Sequence, residues 1–237
     1  MRFVDIKSAE QQSGLMLHRT RELLVRQRTA LINSLRGQLG EFGLIAPKGV
    51  WSIPDLHALA KNATSAILPD AVRGCVELIM GQIDDLQMRI QTIEKAIRAQ
   101  VRANEVSLRL KTIPGIGVIT ASALTATIGD IKAFKSGRHL AAWIGLVPRQ
   151  SGSGGKVYMG KISKKGDAYL RKLLVLGVTA VIRYCRNKPE LAGWINALLQ
   201  RRPARVVTIA VANKMARIAW AVMSRGEGFR QAASAIA

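Results

Sequence analysis

Between Val72 and Ile97 apolar residues return at alternating steps of four and three: Val72, Val76, Ile79, Ile83, Leu86, Ile90, Ile93 and Ile97. A helix advancing 3.6 residues per turn puts such a series on one stripe, whereas a strand would divide it between two faces. The period is that of an a/d heptad seam held for more than three repeats, so a long helix over 70–108 is expected to bury it in a coiled coil. The partner is either a second subunit or another helix of this chain. The matching segment is 9–40, where Leu17, Leu24 and Leu31 stand seven apart with Met16, Leu23 and Ala30 beside them, ended by Gly40 and Gly43. Arg19/Arg26 and Arg21/Arg28 also recur every seven residues, so each pair keeps to one face, either solvated or facing a nucleic-acid backbone.

The remainder of the chain also reads as mainly α, since aromatics make up only 5% of 237 residues while helix-favouring Ala, Leu, Lys and Arg abound. Residues 41–68 form a proline- and glycine-punctuated connector with one helical turn near 55–61, and Trp51 is expected to pack it against a neighbouring helix. The longest apolar run, Leu173–Ile182, is half of the roughly 20 residues that span a bilayer and is closed by Lys172 and Arg183, so it reads as a core helix with no membrane role. The N-terminus has no apolar h-region, which makes the cytoplasm, in association with the nucleoid, the expected location. Cys75 and Cys185, 110 positions apart, read as buried free thiols.

Charge is unevenly spread. Residues 1–50 carry 8 cations against 4 acids, 51–110 carry 7 against 7, and 111–237 carry 21 against 4. The neutral middle fits a protein–protein contact, giving a homodimer or higher oligomer through the coiled coil. The last half points to a polyanionic partner. Composition therefore divides the chain at about residue 110, into 1–110 and 111–237.

In that basic half, Leu110 to Ala126 reads as a helix end, a tight turn from Pro114 to Gly117 and a new helix of small residues. The spacing resembles a helix-hairpin-helix DNA-binding element, in which Gly115 and Gly117 remove Cβ atoms and the next helix turns its amides to a phosphate. Residues 148–172 then set Ser151 and Ser153 in a glycine-rich loop among Arg149, Lys156, Lys161, Lys164, Lys165, Arg171 and Lys172. Gly154 and Gly155 let a ligand approach the backbone, and the cations supply the field a phosphodiester needs. Val157–Ile162 reads as a short strand or hairpin arm, and Asp167 as the cap of a helix from Ala168 to about Arg186. A last helix is expected from Pro203 to about Ser224, burying Val206, Ile209, Ala210, Met215, Ala216, Ala219 and Trp220. Arg201, Arg202 and Arg205 crowd its positive end, an arrangement that favours bound phosphate.

Four runs carry a resemblance: Ile113-Pro-Gly-Ile-Gly, 141–150 (Ala-Ala-Trp-Ile-Gly-Leu-Val-Pro-Arg-Gln), Ser153-Gly-Gly-Lys, and the stretch from Gly160 through Lys-Ile-Ser-Lys-Lys-Gly-Asp-Ala-Tyr-Leu-Arg-Lys-Leu-Leu. Together they resemble the C-terminal transposase domain of the IS110 insertion-sequence family (IS116/IS110/IS902 type). The tail around Arg201-Arg-Pro-Ala-Arg and Ala212-Asn-Lys-Met, with Leu23-Leu-Val-Arg-Gln-Arg near the start, is similar to its IS1111 branch. The resemblance implies DNA transposition by a two-part recombinase. An N-terminal RuvC-like fold holds divalent metal (Mg) on DEDD carboxylates, and a C-terminal serine attacks a DNA phosphodiester under direction from a structured guide RNA. The matching serine here is Ser153, with Ser151 as runner-up. His18, His57 and His139 all lie far from it in sequence, so a metal held elsewhere is the natural activator. Arg149, Lys156, Lys164 and Arg171 would neutralise the transition-state charge. The match begins after the point where the last DEDD aspartates would lie, and Asp84, Asp85 and Asp130 do not match them. The expected product is a truncated transposase that binds DNA but is inactive alone, with no metal bound in this chain. The competing readings are a non-catalytic helix-hairpin-helix binding module and a dimerising regulator of an intact transposase.

Overall fold

The chain was analysed as a computed structural model that describes residues 6–185 and 193–230. Its elements are predominantly helical: α1 (Ala9–Glu41), α2 (Ile53–Asn62), α3 (Asp70–Arg102), α4 (Glu105–Leu110), α5 (Val118–Thr127), α6 (Gly137–Ile144), α7 (Ala168–Cys185), α8 (Gly193–Arg201) and α9 (Ala204–Arg225), with an antiparallel pair, β1 (Pro148–Ser153) and β2 (Lys156–Ile162), between α6 and α7. They divide into two compact units. Residues 16–96 form one, and residues 1–15 join 97–237 in the other.

In the middle unit α1 and α3 run antiparallel, since Arg21 donates to Glu94 at 2.6 and 2.9 Å and Arg28 donates to Gln87. Ile32, Leu35 and Leu39 share one core with Val76, Met80 and Ile83. Helix α1 is the one the periodicity predicts, while α3 ends at Arg102 rather than near 108 because Asn104 caps a separate α4, and the inward lines of α1 and α3 include residues beside the predicted stripes. On α1 the inward positions are His18, Ile32, Leu35 and Leu39, with Arg21 and Arg28 on the same line, while Met16 and Leu23 are 69% and 47% exposed. On α3 Val76, Ile83 and Ile90 face inward as expected, but the alternate rung is Met80, Gln87 and Glu94, and Ile79, Leu86 and Ile93 only flank it. The polar rung has a physical reason: it supplies acceptors for the two arginines, and paired polar groups tolerate partial burial that unpaired ones do not. Arg21 and Arg28 are thus turned inward, whereas Arg19 and Arg26 are exposed.

Two further arginines hold the connector. Arg36 donates to the carbonyls of Ala46 and Gly49 and to Ser52 Oγ, and Arg73 to the carbonyls of Ala60, Lys61 and Ala63. They satisfy carbonyl groups that a loop leaves without partners. Trp51, expected to pack, is 72% exposed, because the buried residue of its short turn is Ser52. Cys75 is exposed rather than buried, since it follows the outer face of α3 beside inward Val76, and the side chain of Cys185 lies outside the description.

The second unit centres on α5, whose small residues Thr120, Ala121, Ser122, Ala123 and Ala126 are buried with Leu124. Small side chains let neighbours close in from all sides, and Ala126 comes within van der Waals reach of Gly14 in α1. Ser8 and Gln11 form a reciprocal capping box at the start of α1, and Gln11 also reaches the carbonyl of Ile128. Around α5 the core is filled by Leu140 and Ile144 of α6, Leu170, Leu174 and Val178 of α7, and Val207, Val211, Ala212, Met215, Ala216 and Ala219 of α9. The expected burial of the last helix holds for Met215, Ala216 and Ala219 and changes for the others. Val206 is 53% exposed, and Ile209, Ala210 and Trp220 are half-buried, because the inward line runs through Val207 and Val211 at helical spacing. Helix α9 also has the length and apolarity to cross a membrane, yet its apolar face is this core, and Arg205, Lys214, Arg217 and Arg225 interrupt its surface. The expected end of α7 at Arg186 lies outside the described residues.

Candidate nucleic-acid interface

The serine-containing stretch is a β-hairpin, not a loop. Gly154 and Gly155 both have positive φ, 56° and 79°, as a two-residue type I′ turn requires at its two central positions. The turn sets the register: Ser153 pairs with Lys156, Gly152 with Val157, Ser151 with Tyr158 and Gln150 with Met159. Directly paired residues share a face, with Cβ atoms roughly 5 Å apart, and faces alternate along each strand. One face of the ribbon therefore gathers Ser153, Lys156, Ser151 and Tyr158, and the other Gly152, Val157, Gln150 and Met159. A bulge near Gly160 and Lys161, opposite Arg149, ends this alternation toward the root. Almost the whole ribbon is exposed, Val157, Tyr158 and Met159 each by more than 60%.

At its root the ribbon is fixed. Ser163 N donates to Val147 O at 2.8 Å and Lys164 N to Gly145 O at 3.2 Å. A Cβ on Gly145 or Gly166 would overlap the carbonyl oxygens of Lys165 and Trp143 respectively, so two backbones touch here. Arg171 donates to Ile144 O at 2.7 Å, putting a cation on the negative end of α6, and Arg149 reaches Ser163 O at 3.3 Å. Asp167 caps α7 through Leu170 N at 2.9 Å, the role expected of it. Lys156, Lys161, Lys164, Lys165 and Lys172 are exposed around this scaffold.

Of the other residues singled out from the sequence, Gly117 is exposed at the start of α5 with no side-chain cap. Gly115 is turned toward the interior, where an added Cβ would lie 2.6 Å from Met215 Cε and 2.8 Å from Val181. Arg201, Arg202 and Arg205 cluster, exposed, at the corner between α8 and α9, Arg201 bonding back to Ala197 O. Sequence reasoning missed α8, a short element running up to Pro203, and it missed Tyr158, which only the register places beside the serines.

Among the described residues no three or more His, Cys, Asp or Glu side chains converge where a cation could bind. Asp130 caps a turn at Lys132 N, Asp167 caps α7, and Asp85 pairs with Arg89. The described residues do not fit a divalent metal.

Known proteins resemble this sequence. The model of the transposase IS116/IS110/IS902 family matches residues 107–192, a range that contains the hairpin and its root. A probable family 20 transposase of Pseudomonas aeruginosa is 47% identical over 97% of this chain and 69% of its own length. A putative transposase of Sinorhizobium fredii is 42% identical over 98% of the chain and 60% of its own length. The transposase for insertion sequence element IS1111A of Coxiella burnetii is 38% identical over 97% of the chain and 64% of its own length. The chain thus spans about two thirds of the length of these relatives. Relatives at 38–47% identity that match nearly the whole chain leave one conclusion: the chain belongs to the IS116/IS110/IS902 transposase family.

Proposed function

We propose that this chain binds DNA together with a structured guide RNA and presents Ser153 as the nucleophile of DNA strand transfer. The observation that carries the reading is the position of Ser153 beside a two-glycine turn, opposite Lys156 on an exposed ribbon, in a chain of a transposase family. A ribbon of this width enters a nucleic-acid groove, and a hydroxyl at its tip reaches a backbone phosphate without burying the helical body. In the step, the Ser153 Oγ–P bond forms while the bond from phosphorus to one sugar oxygen breaks. The hydroxyl proton passes to that leaving oxygen. Lys156 across the turn and Arg149 near the root supply positive charge to the phosphoryl oxygens.

The described carboxylates do not fit a divalent metal. The metal-holding carboxylates that the resemblance implies would come from outside these residues, and the 237-residue chain would then bind nucleic acid without recombining it. The α4–turn–α5 segment fits a helix-hairpin-helix contact through the exposed amide of Gly117. Leu78 and Met88, exposed on α3, offer a face that a second copy would cover.

The test is a search for a protein–DNA adduct that survives denaturing electrophoresis, with element-end DNA, cognate RNA and a RuvC-like domain supplied in trans. Adduct with wild type and Ser151→Ala but none with Ser153→Ala is the expected result. Adduct from the unsupplemented chain would refute its dependence on outside carboxylates. Binding without adduct in any condition would favour the second reading, a non-catalytic binding module or dimerising regulator, to which the engaged state of Asp85, Asp130 and Asp167 lends its own support.

A further inference from the structure

A second basic feature lies on the larger unit, where α6 begins against α9. Gly137 allows the close approach, since a Cβ there would stand 2.9 Å from the Cα of Arg217. Beside it is an open groove of about 780 Å³, lined by Arg138 of α6, Trp194 of α8 and Asn213, Lys214 and Arg217 of α9. Its floor is firm: Trp220 donates its indole N–H to Phe134 O at 3.0 Å. The three cations have no carboxylate partner among the described residues, and the acids beyond Leu110 in that set are only Asp130, Asp167 and Glu227, two of them spent as caps.

Cations on a helix surface are often no more than a solvated face. This set differs in being concave and in enclosing an aromatic ring. Trp194 is 44% exposed, with the ammonium of Lys214 4.2 Å from its ring centroid. An exposed indole among cations that have no carboxylate partner in the described residues is the combination that binds a single strand, in which a base stacks on the ring while flanking phosphates meet the charges. A duplex offers no free base face in its interior, so the ring would add little to duplex binding. Asn213, on the groove wall, donates to the carbonyl of Leu146, two residues ahead of β1, which ties this wall to the segment that enters the ribbon.

We infer that this groove holds an unpaired nucleotide strand, one base stacked on Trp194 and the adjoining phosphates on Arg138, Lys214 and Arg217. The inference rests on the reading that the chain acts on nucleic acid. It adds a place on the larger unit for a segment that is not base-paired.

The experiment uses the full 237-residue chain with three fluorescein-labelled probes: a 12-nucleotide DNA strand, the RNA of the same sequence and the blunt DNA duplex. Anisotropy gives the Kd of each, and intrinsic tryptophan emission is read in parallel. Trp194→Ala is expected to weaken single-strand binding roughly 10-fold or more, since one stacked base contributes about 1–3 kcal/mol, and to change duplex binding less than about 2-fold. Trp194→Phe should restore most of the loss, and quenching seen with wild type should shrink in Trp194→Ala. Arg217→Ala, a surface change, should lower the salt slope of single-strand binding by about one and carries the test if Trp194→Ala misfolds. Loss confined to the DNA or to the RNA probe identifies the strand and supports the site. If wild type binds the probes but Trp194 and Arg217 variants bind unchanged and unquenched, the groove is not the site and the proposed function stands. If wild type binds none of them, the function fails and the groove with it.

Discussion

Gly177 lies inside α7, where alanine would ordinarily win by about 1 kcal/mol on helix propensity. Here a Cβ would overlap the carbonyl oxygen of Gly115, which belongs to the turn before α5, so backbone must move against backbone. Overpacking of that kind costs typically 1–3 kcal/mol, which exceeds the propensity gain. Gly177→Ala is therefore expected to lower unfolding stability by about 1–2 kcal/mol. Gly81→Ala in α3, with nothing within 4 Å of its Cβ, should raise it by roughly 0.5–1 kcal/mol. Urea titration of both variants checks the opposite signs. The sequence motif Pro-Gly-Ile-Gly marks Gly115 as special but not why. Its partner is 62 residues away, and no local pattern announces a contact between two glycines.

The α1/α3 pair shows what periodicity does and does not reveal. Apolar spacing located both helices, because 3.6-residue winding leaves a stripe in any amphipathic helix. It found the rung of Val76, Ile83 and Ile90 but not the polar one beside it, because apolar spacing does not register Arg21, Arg28, Gln87 and Glu94, which pair between the helices. His18 belongs to the same line. It is 2% exposed, and burial, reinforced by nearby Arg21, lowers its pKa to about 4. The unfolded chain takes up this proton near pH 6.5, while the folded chain refuses it until about pH 4. Stability is full above pH 6.5 and falls as pH drops through that window, by roughly 3 kcal/mol over its width. His18→Gln should flatten the decline of the unfolding midpoint between pH 6.5 and 4, and a wild-type midpoint that holds constant there would refute the assignment. The hairpin was half legible. Val157–Ile162 alternates enough to read as an arm, but Ser151 and Ser153 read as loop because serine and glycine are poor strand formers, and only the Gly-Gly turn imposes the register.

For the whole molecule the governing quantity is a net charge of +21, most of it after residue 110. Most described cations of that half fall on the ribbon and its root, the α8–α9 corner and the α6/α9 groove. Charge counting found the first two, because they are dense in sequence, and missed the third, whose cations come from α6 and α9 and converge only in space. Binding to duplex DNA is expected to follow counterion release, losing about a thousandfold or more in affinity between 50 and 200 mM salt. Lys156→Ala with Lys161→Ala should reduce the slope of log affinity against log salt by about two. A titration in which the slope is shallow, or unchanged by the pair, would place the contacts elsewhere.

The bond from Gln11 to the carbonyl of Ile128 spans 117 positions, and it also sets an order of assembly. Residues 9–15 leave the ribosome before α5 but gain their partner there only after the intervening chain has been made. Closing so long a flexible loop carries an entropy cost that grows with its length. The unit of residues 16–96, whose contacts are internal, can fold within that interval and shorten the loop that remains to be closed. A lesion at Leu35 or Ile83 would then act at a distance, slowing completion of the basic unit during synthesis although it touches no residue there.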